Sequence, residues 1–225
     1  MRLLPYTTFF PKPLVPIKEK PILDIILRQL VSYGFDDITI SVGHLAELIE
    51  AYFEKSDIKK EAKLTYVKED KPLGTAGSLS LVKDLDETVL VMNGDILTTI
   101  DYQKLVRFHR KSKSALTIAS FSRSLQVDLG VMEIGKNMRL TNYIEKPVKN
   151  FDVSMGIYVY EPKAVSYIIP DKYLDFPTLV HRLLKAGEKV SAFPFKGYWR
   201  DIGRHDDYAL AQEEYTKIKT KLFKG

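Results

Sequence analysis

The sequence predicts an α/β domain with a mainly parallel sheet. Apolar runs of strand length alternate with helical apolar periods through the first half of the chain. Residues 88–92 form an apolar run without alternation that stops at Asn93-Gly94-Asp95, as a strand buried on both faces does. The chain has 225 residues, 45% of them hydrophobic, enough for one such core, so residues 1–225 are expected to be a single domain.

Residues 1–21 hold five of the eleven prolines, at positions 5, 11, 13, 16 and 21, which makes the opening extended and stiff. Lys12 lies between Pro11 and Pro13. Its ammonium is either pre-positioned for a partner or part of a rigid surface linker. Pro21 starts a helix whose apolar face holds Ile22, Leu23, Ile25, Ile26 and Leu30 and which Gly34 ends. A strand at 38–42, a helix at 45–55 with Leu45, Leu48, Ile49 and Phe53 inward, and a strand at 64–67 follow. A loop with Pro72 leads to a helix over about 75–85, then come the 88–92 strand and a helix at 102–111. This order is that of parallel strands joined by crossover helices.

The second half expects a strand at 115–121, a hairpin of 130–134 with 139–146 across Gly135-Lys136-Asn137, and a strand at 153–160. Glu161-Pro162 opens a short helix, residues 176–186 form a longer one ended by Gly187, 190–195 a late strand, and 204 to about 219 the closing helix. The first helix has no strand before it, whereas a doubly wound sheet normally begins with one, usually central. The sequence therefore reads as a domain lacking its opening strand.

Cysteine is absent, which excludes disulfides, a cysteine nucleophile and a thiolate metal site. No run approaches the roughly 18 apolar residues of a membrane span, and no signal peptide is visible; a soluble, cytoplasmic protein without membrane partners is expected. The net charge of +5 admits anionic partners. Small phosphates fit better than nucleic acid, because no basic-aromatic ladder or zinc-finger spacing occurs and the lysine-rich end at 216–225 reads as a solvated helix terminus. The composition leaves room for a homo-oligomer.

Asp95 ends its apolar run where α/β sheets bind ligands, beyond the carboxyl ends of buried strands. Asn-Gly-Asp also makes an ordinary tight turn. A second acidic turn, Tyr198-Trp-Arg-Asp201-Ile-Gly203, again follows an apolar stretch.

At this point a family resemblance enters. The chain keeps Arg2-Leu-Leu-Pro-Tyr-Thr7, Pro11-Lys-Pro13, Glu69-Asp-Lys-Pro-Leu-Gly-Thr-Ala-Gly77, Asn93-Gly-Asp95, Gly130-Val131, Glu145-Lys-Pro147, Gly156-Ile-Tyr158 and Trp199-Arg-Asp-Ile-Gly203. In this order the motifs resemble those of the sugar-1-phosphate nucleotidyltransferases, and above all the catalytic domains of the mannose-1-phosphate guanylyltransferases. The resemblance implies a Rossmann-like three-layer fold. It implies transfer of a nucleoside monophosphate from a nucleoside triphosphate to a sugar 1-phosphate, with release of pyrophosphate and dependence on Mg2+.

Residue by residue, the resemblance makes Arg2 and Lys12 the catalytic cations on the triphosphate. It assigns Glu69, Pro72, Gly74 and Asn93 to the nucleotide, with Gly74 letting backbone approach the base. Gly130, Glu145, Lys146, Ser154 and Gly156 fall to the sugar phosphate, and Asp95 and Asp201 to the metal. Two carboxylates, substrate phosphates and water are an ordinary donor set for magnesium.

The family's glycine-rich loop would precede Arg2, and without it the chain is expected to show little activity. A non-catalytic nucleotide-sugar-binding or regulatory subunit is the alternative. A glycosyltransferase would carry Asp-x-Asp, which Asn93-Gly-Asp95 does not supply. Pro72-Leu-Gly-Thr-Ala-Gly77 leans towards GTP, while Leu129-Gly130-Val131 and Ser154-Met155-Gly156 depart from the usual sugar-side motifs and leave the sugar open.

Overall fold

A computed structural model describes residues 10–83 and 85–224. Arg2 lies outside the described residues. The opening segment forms a single 3-10 turn, Lys12–Leu14, and a short hairpin of β1 (Pro16–Ile17) with β2 (Lys20–Pro21). Val15 and Ile17 are buried, so the proline-rich stretch is packed into the core.

Helix α1 (Ile22–Ser32) follows and is buried on two sides. Ile22, Ile25, Ile26 and Leu30 face one apolar cluster, Leu23 and Leu27 another. Strands β3 (Asp37–Val42) and β4 (Lys63–Lys68) pair in parallel around helix α2 (Ala46–Glu54). The inward residues of α2 are Ala46, Ile49 and Phe53; Leu48, expected inside, is exposed because Ala46 takes the inner face of that turn.

The expected helix at 75–85 is replaced by a one-turn helix α3 (Gly74–Gly77) and a 3-10 turn, Ser78–Leu81. Two glycines in four positions weaken a helix, and the chain leaves helical geometry at Val82. Strand β5 (Val89–Met92) comes next, then β6 (Ile96–Thr98) and α4 (Tyr102–Ser112).

The central sheet has the order β11 (Val190–Phe195), β7 (Leu116–Gln126), β10 (Val148–Tyr160), β5. It is mixed rather than mainly parallel: β11 runs parallel to β7, but β10 is antiparallel to both β7 and β5. The reason is connectivity. β7 returns through the ribbon of β8 (Val131–Ile134) and β9 (Leu140–Ile144) instead of through a crossover helix. Among the described residues β5 pairs only with β10, and its four residues are half-buried instead of fully enclosed.

Alternation along β10 makes the layers. Met155, Ile157 and Val159 enter a cluster with α1, α4 and α7 (His205–Leu222). Tyr158 and Tyr160 enter the opposite cluster, with α5 (Pro162–Val165) and α6 (Phe176–Lys185). Helices thus cover both faces, in three layers. The pair of β6 with β12 (Trp199–Asp201) lies beside this sheet and carries the acidic turns.

Candidate functional site

Three remote segments meet at one point. The β12–β6 ladder pairs Asp201 with Ile96, and Ile202 N–H donates to the carbonyl of Asp95 at 3.0 Å, so the two acidic turns are tied by backbone. The 3-10 turn of the opening segment lies on the same place, with Pro13 against Gly94. Its Lys12 ammonium is hydrogen-bonded to the Asp95 carboxylate and stands 4.0 Å from Oδ1 of Asp201. Gly203 keeps the spot open: a Cβ there would come within 3.2 Å of Asp201 Oδ1. The Asp95 side chain is 19% exposed and that of Asp201 55%, so the pair opens to solvent on the Asp201 side.

Asp201 is steadied from behind. Its neighbour Arg200 donates to Glu214 on α7 at 2.9 Å, and lies 3.4 Å from Asp207 and 3.4 Å from the Tyr198 hydroxyl. Burial pushes the Tyr198 phenol up to about 12, so it is neutral at physiological pH.

A cavity of about 300 Å³ adjoins Asp201 and is lined by Asn93, Ser154, Gly156 and Thr75, with Tyr158, Phe176 and Trp199 among its aromatic walls. Gly156 has φ +72, and a Cβ there would be 2.7 Å from Asn93 Nδ2 and 2.7 Å from Ile96 Cδ1. Its carbonyl accepts from Asn93 N–H at 2.9 Å, so this position is built for close approach of the Asn93 turn to β10. The Ser154 hydroxyl donates to the Tyr158 hydroxyl at 3.3 Å, and Trp199 Nε1 donates to the carbonyl of Met155 at 3.0 Å. Tyr158 stacks on Phe176 with ring centroids 3.9 Å apart, and burial raises its phenol.

The other expected residues are placed differently. Glu69 accepts from Leu73 N–H at 3.0 Å and from Ser41 Oγ at 3.0 Å, bracing the loop that carries the exposed Pro72. Gly74 has φ +80, and a Cβ on it would meet the Leu174 carbonyl oxygen at 2.7 Å; the backbone it admits is that of residue 174. Gly130, Glu145 and Lys146 sit at the base of the β8–β9 ribbon and do not line the cavity. Gly130 is packed under the Tyr143 hydroxyl, which donates to Glu145 at 3.3 Å. Phe176 joins the site without a motif that announced it, and Thr75 and Met155 join it from inside motifs in which neither had been given a role.

The donor set has two carboxylates and a lysine. Among the described residues no group of three or more His, Asp or Glu side chains could enclose a metal. Two convergent carboxylates fit a hard divalent cation that takes its remaining ligands from phosphate oxygens and water. That a cation is favoured between them is visible in Lys12, whose ammonium takes this position.

The nucleotidyl transferase family model matches residues 1–218. The chain belongs to this family. A UTP–glucose-1-phosphate uridylyltransferase of Synechocystis sp. is 31% identical, over 92% of this chain and 58% of its own length. The mannose-1-phosphate guanylyltransferase catalytic subunit beta of Drosophila pseudoobscura pseudoobscura is 31% identical, over 100% of this chain and 63% of its own length. Among solved structures, HddC from Yersinia pseudotuberculosis complexed with GMP-PN is similar with a TM-score of 0.70 at 25% identity, over 92% of this chain and 90% of that one. The chain thus spans about three fifths of the curated relatives it matches. No helix among the described residues is long and apolar enough to cross a membrane.

Proposed function

We propose that this nucleotidyltransferase chain couples a nucleoside triphosphate to a sugar 1-phosphate in the cytoplasm, giving a nucleotide-sugar and pyrophosphate. An oxygen of the sugar phosphate bonds to the α-phosphorus as the bond to the pyrophosphate oxygen breaks. The observation that carries this reading is Lys12 between Asp95 and Asp201, at the edge of a cavity lined by Asn93, Ser154 and Gly156.

Two anions must meet in this reaction, and the protein's work is positioning and neutralising charge. Lys12 moves its ammonium from the carboxylates to the phosphates. Asp95 and Asp201 would hold a magnesium ion, which when bound supplies positive charge to the phosphate oxygens. Asn93 and the backbone at Gly156 fix the floor of the cavity, Ser154 and Tyr158 offer hydroxyls, and Trp199 and Phe176 exclude water. Glu145 and Lys146, assigned to the sugar phosphate on the family resemblance, stand at the ribbon base outside the cavity and would meet that substrate only if the ribbon swings towards it. GTP is the preferred nucleotide of this proposal, in keeping with several relatives named as mannose-1-phosphate guanylyltransferases.

The test is pyrophosphate release with GTP, UTP, CTP and dTTP, each against a panel of sugar 1-phosphates. Release with GTP and mannose 1-phosphate above the other pairs supports the proposal. Tight nucleotide-sugar binding without any release would instead support a non-catalytic subunit.

A further inference from the structure

Helix α7 carries three stripes of side chains. Ala211, Tyr215 and Ile218 are buried against the core. Along one edge of that stripe Asp207 and Glu214 hold Arg200, and through it the strand end with Asp201. Along the other edge Tyr208 and Gln212, one turn apart, meet the β1–β2 hairpin. The helix therefore touches both segments that bring Lys12 and Asp201 together.

The grip on the hairpin is specific. Gln212 Nε2 donates to the Pro16 carbonyl at 2.7 Å, and its Oε1 accepts from Lys18 N–H at 2.8 Å. The Tyr208 hydroxyl donates to the same carbonyl at 2.9 Å and accepts from Gln212 Nε2 at 2.8 Å. The hairpin offers one acceptor and one donor, and an amide side chain supplies both complements at once. Lys18 has φ +55, a left-handed turn that residues other than glycine seldom adopt, and its N–H ends on Gln212. From Pro16 the chain runs back four residues to Lys12. Val15 lies between them with its side chain buried. Its N–H donates to the Lys12 carbonyl at 3.1 Å, and its carbonyl accepts from Ile22 N–H at 3.1 Å. The place of the hairpin is thus passed to the Lys12 turn through a short, fully bonded backbone.

We propose that Gln212 is a positioning residue for Lys12: it fixes the β1–β2 hairpin on α7 and so sets the ammonium between Asp95 and Asp201. Its hydrogen bonds are open to water and add little stability, so their work is orientation. Tyr208 is the second arm of the same grip. The effect on turnover rests on the reaction proposed above, whereas the placement of Lys12 does not.

The experiment is amine footprinting. Wild type and Gln212→Leu are treated with limiting acetic anhydride, and acetylation at each lysine is measured by mass spectrometry. The Lys12 ammonium, engaged with Asp95, is shielded from the reagent in the wild type. It should react about fivefold faster in the variant, the scale of one net hydrogen bond. Lys163, paired with Glu188 on the opposite side of the sheet, should be unchanged. Pyrophosphate release should fall about tenfold in Gln212→Leu, and hardly further when that change is added to Lys12→Met, where there is no ammonium left to position. Should Gln212→Leu fail to fold, Tyr208→Phe removes the other donor to Pro16 and should move Lys12 reactivity in the same direction. Unchanged Lys12 reactivity overturns the proposal. So does a rise shared by Lys163, or losses of turnover that multiply in the double variant, either of which makes Gln212 a general brace. Faster acetylation of Lys12 alone, in a chain that releases no pyrophosphate, supports the placement and refutes the reaction.

Discussion

The Lys12 ammonium is hydrogen-bonded to the carboxylate of Asp95, eighty-three residues away in the chain. This pair links the proline-rich opening to the end of a sheet strand. It also leaves the ammonium 4.0 Å from Asp201, so one cation serves two carboxylates. Two carboxylates that share one cation repel each other, and the ammonium between them offsets that repulsion.

Lys12→Met should therefore show two effects. Turnover should fall on the order of 10²-fold, the scale of losing a charge that stabilises the transferring phosphate. Without nucleotide, the variant should gain more thermal stability from magnesium than the wild type does, because ammonium and divalent ion no longer compete for Asp95 and Asp201. Thermal melts with and without the ion measure this. An equal or smaller shift in the variant would show that the metal binds elsewhere.

Gly156→Ala should destabilise the chain by about 1–3 kcal/mol. The backbone there has φ +72, and the new methyl would meet Asn93 Nδ2 and Ile96 Cδ1, each at 2.7 Å. Asn93 must shift, so kcat/KM should fall in the same variant. Urea denaturation gives the first number and steady-state kinetics the second. An alanine variant of wild-type stability would mean that the Asn93 turn yields easily.

Arg200→Met removes a guanidinium shared by Glu214 and Asp207 on α7. These carboxylates are partly exposed, so the stability cost should be about 1 kcal/mol. The larger effect should be on catalysis, since Arg200 anchors the strand end that carries Asp201. A loss of stability with unchanged turnover would leave Arg200 a purely structural brace.

Much of the element order was legible in the sequence because apolar period and turn residues agree, as in α1 between Pro21 and Gly34 or α6 before Gly187. What escaped depends on distant packing. β7 and β10 each run several residues beyond their apolar centres, since the outer halves pair with each other through polar residues such as Ser124 and Asn150, whose side chains are 2.6 Å apart. The sheet direction escaped because it rests on how β7 returns, which local pattern does not encode. At the site, Lys12, Asp95 and Asp201 were each readable as turn or loop residues of unusual setting, and the fold brings the three together. At Gly74 the close neighbour is the carbonyl of Leu174, a hundred residues on, which leaves no local mark in the sequence.

The central claim is that Asp95 and Asp201 act as one unit on one cation. Pyrophosphate release by Asp95→Ala, Asp201→Ala and the double variant, side by side with the wild type, tests it most directly. Each single substitution should cost roughly 10²-fold or more in turnover with the fold retained, and the double should cost little beyond the worse single, because residues serving one ion lose it only once. Near-normal release by either single variant, or losses that multiply in the double, would contradict the account.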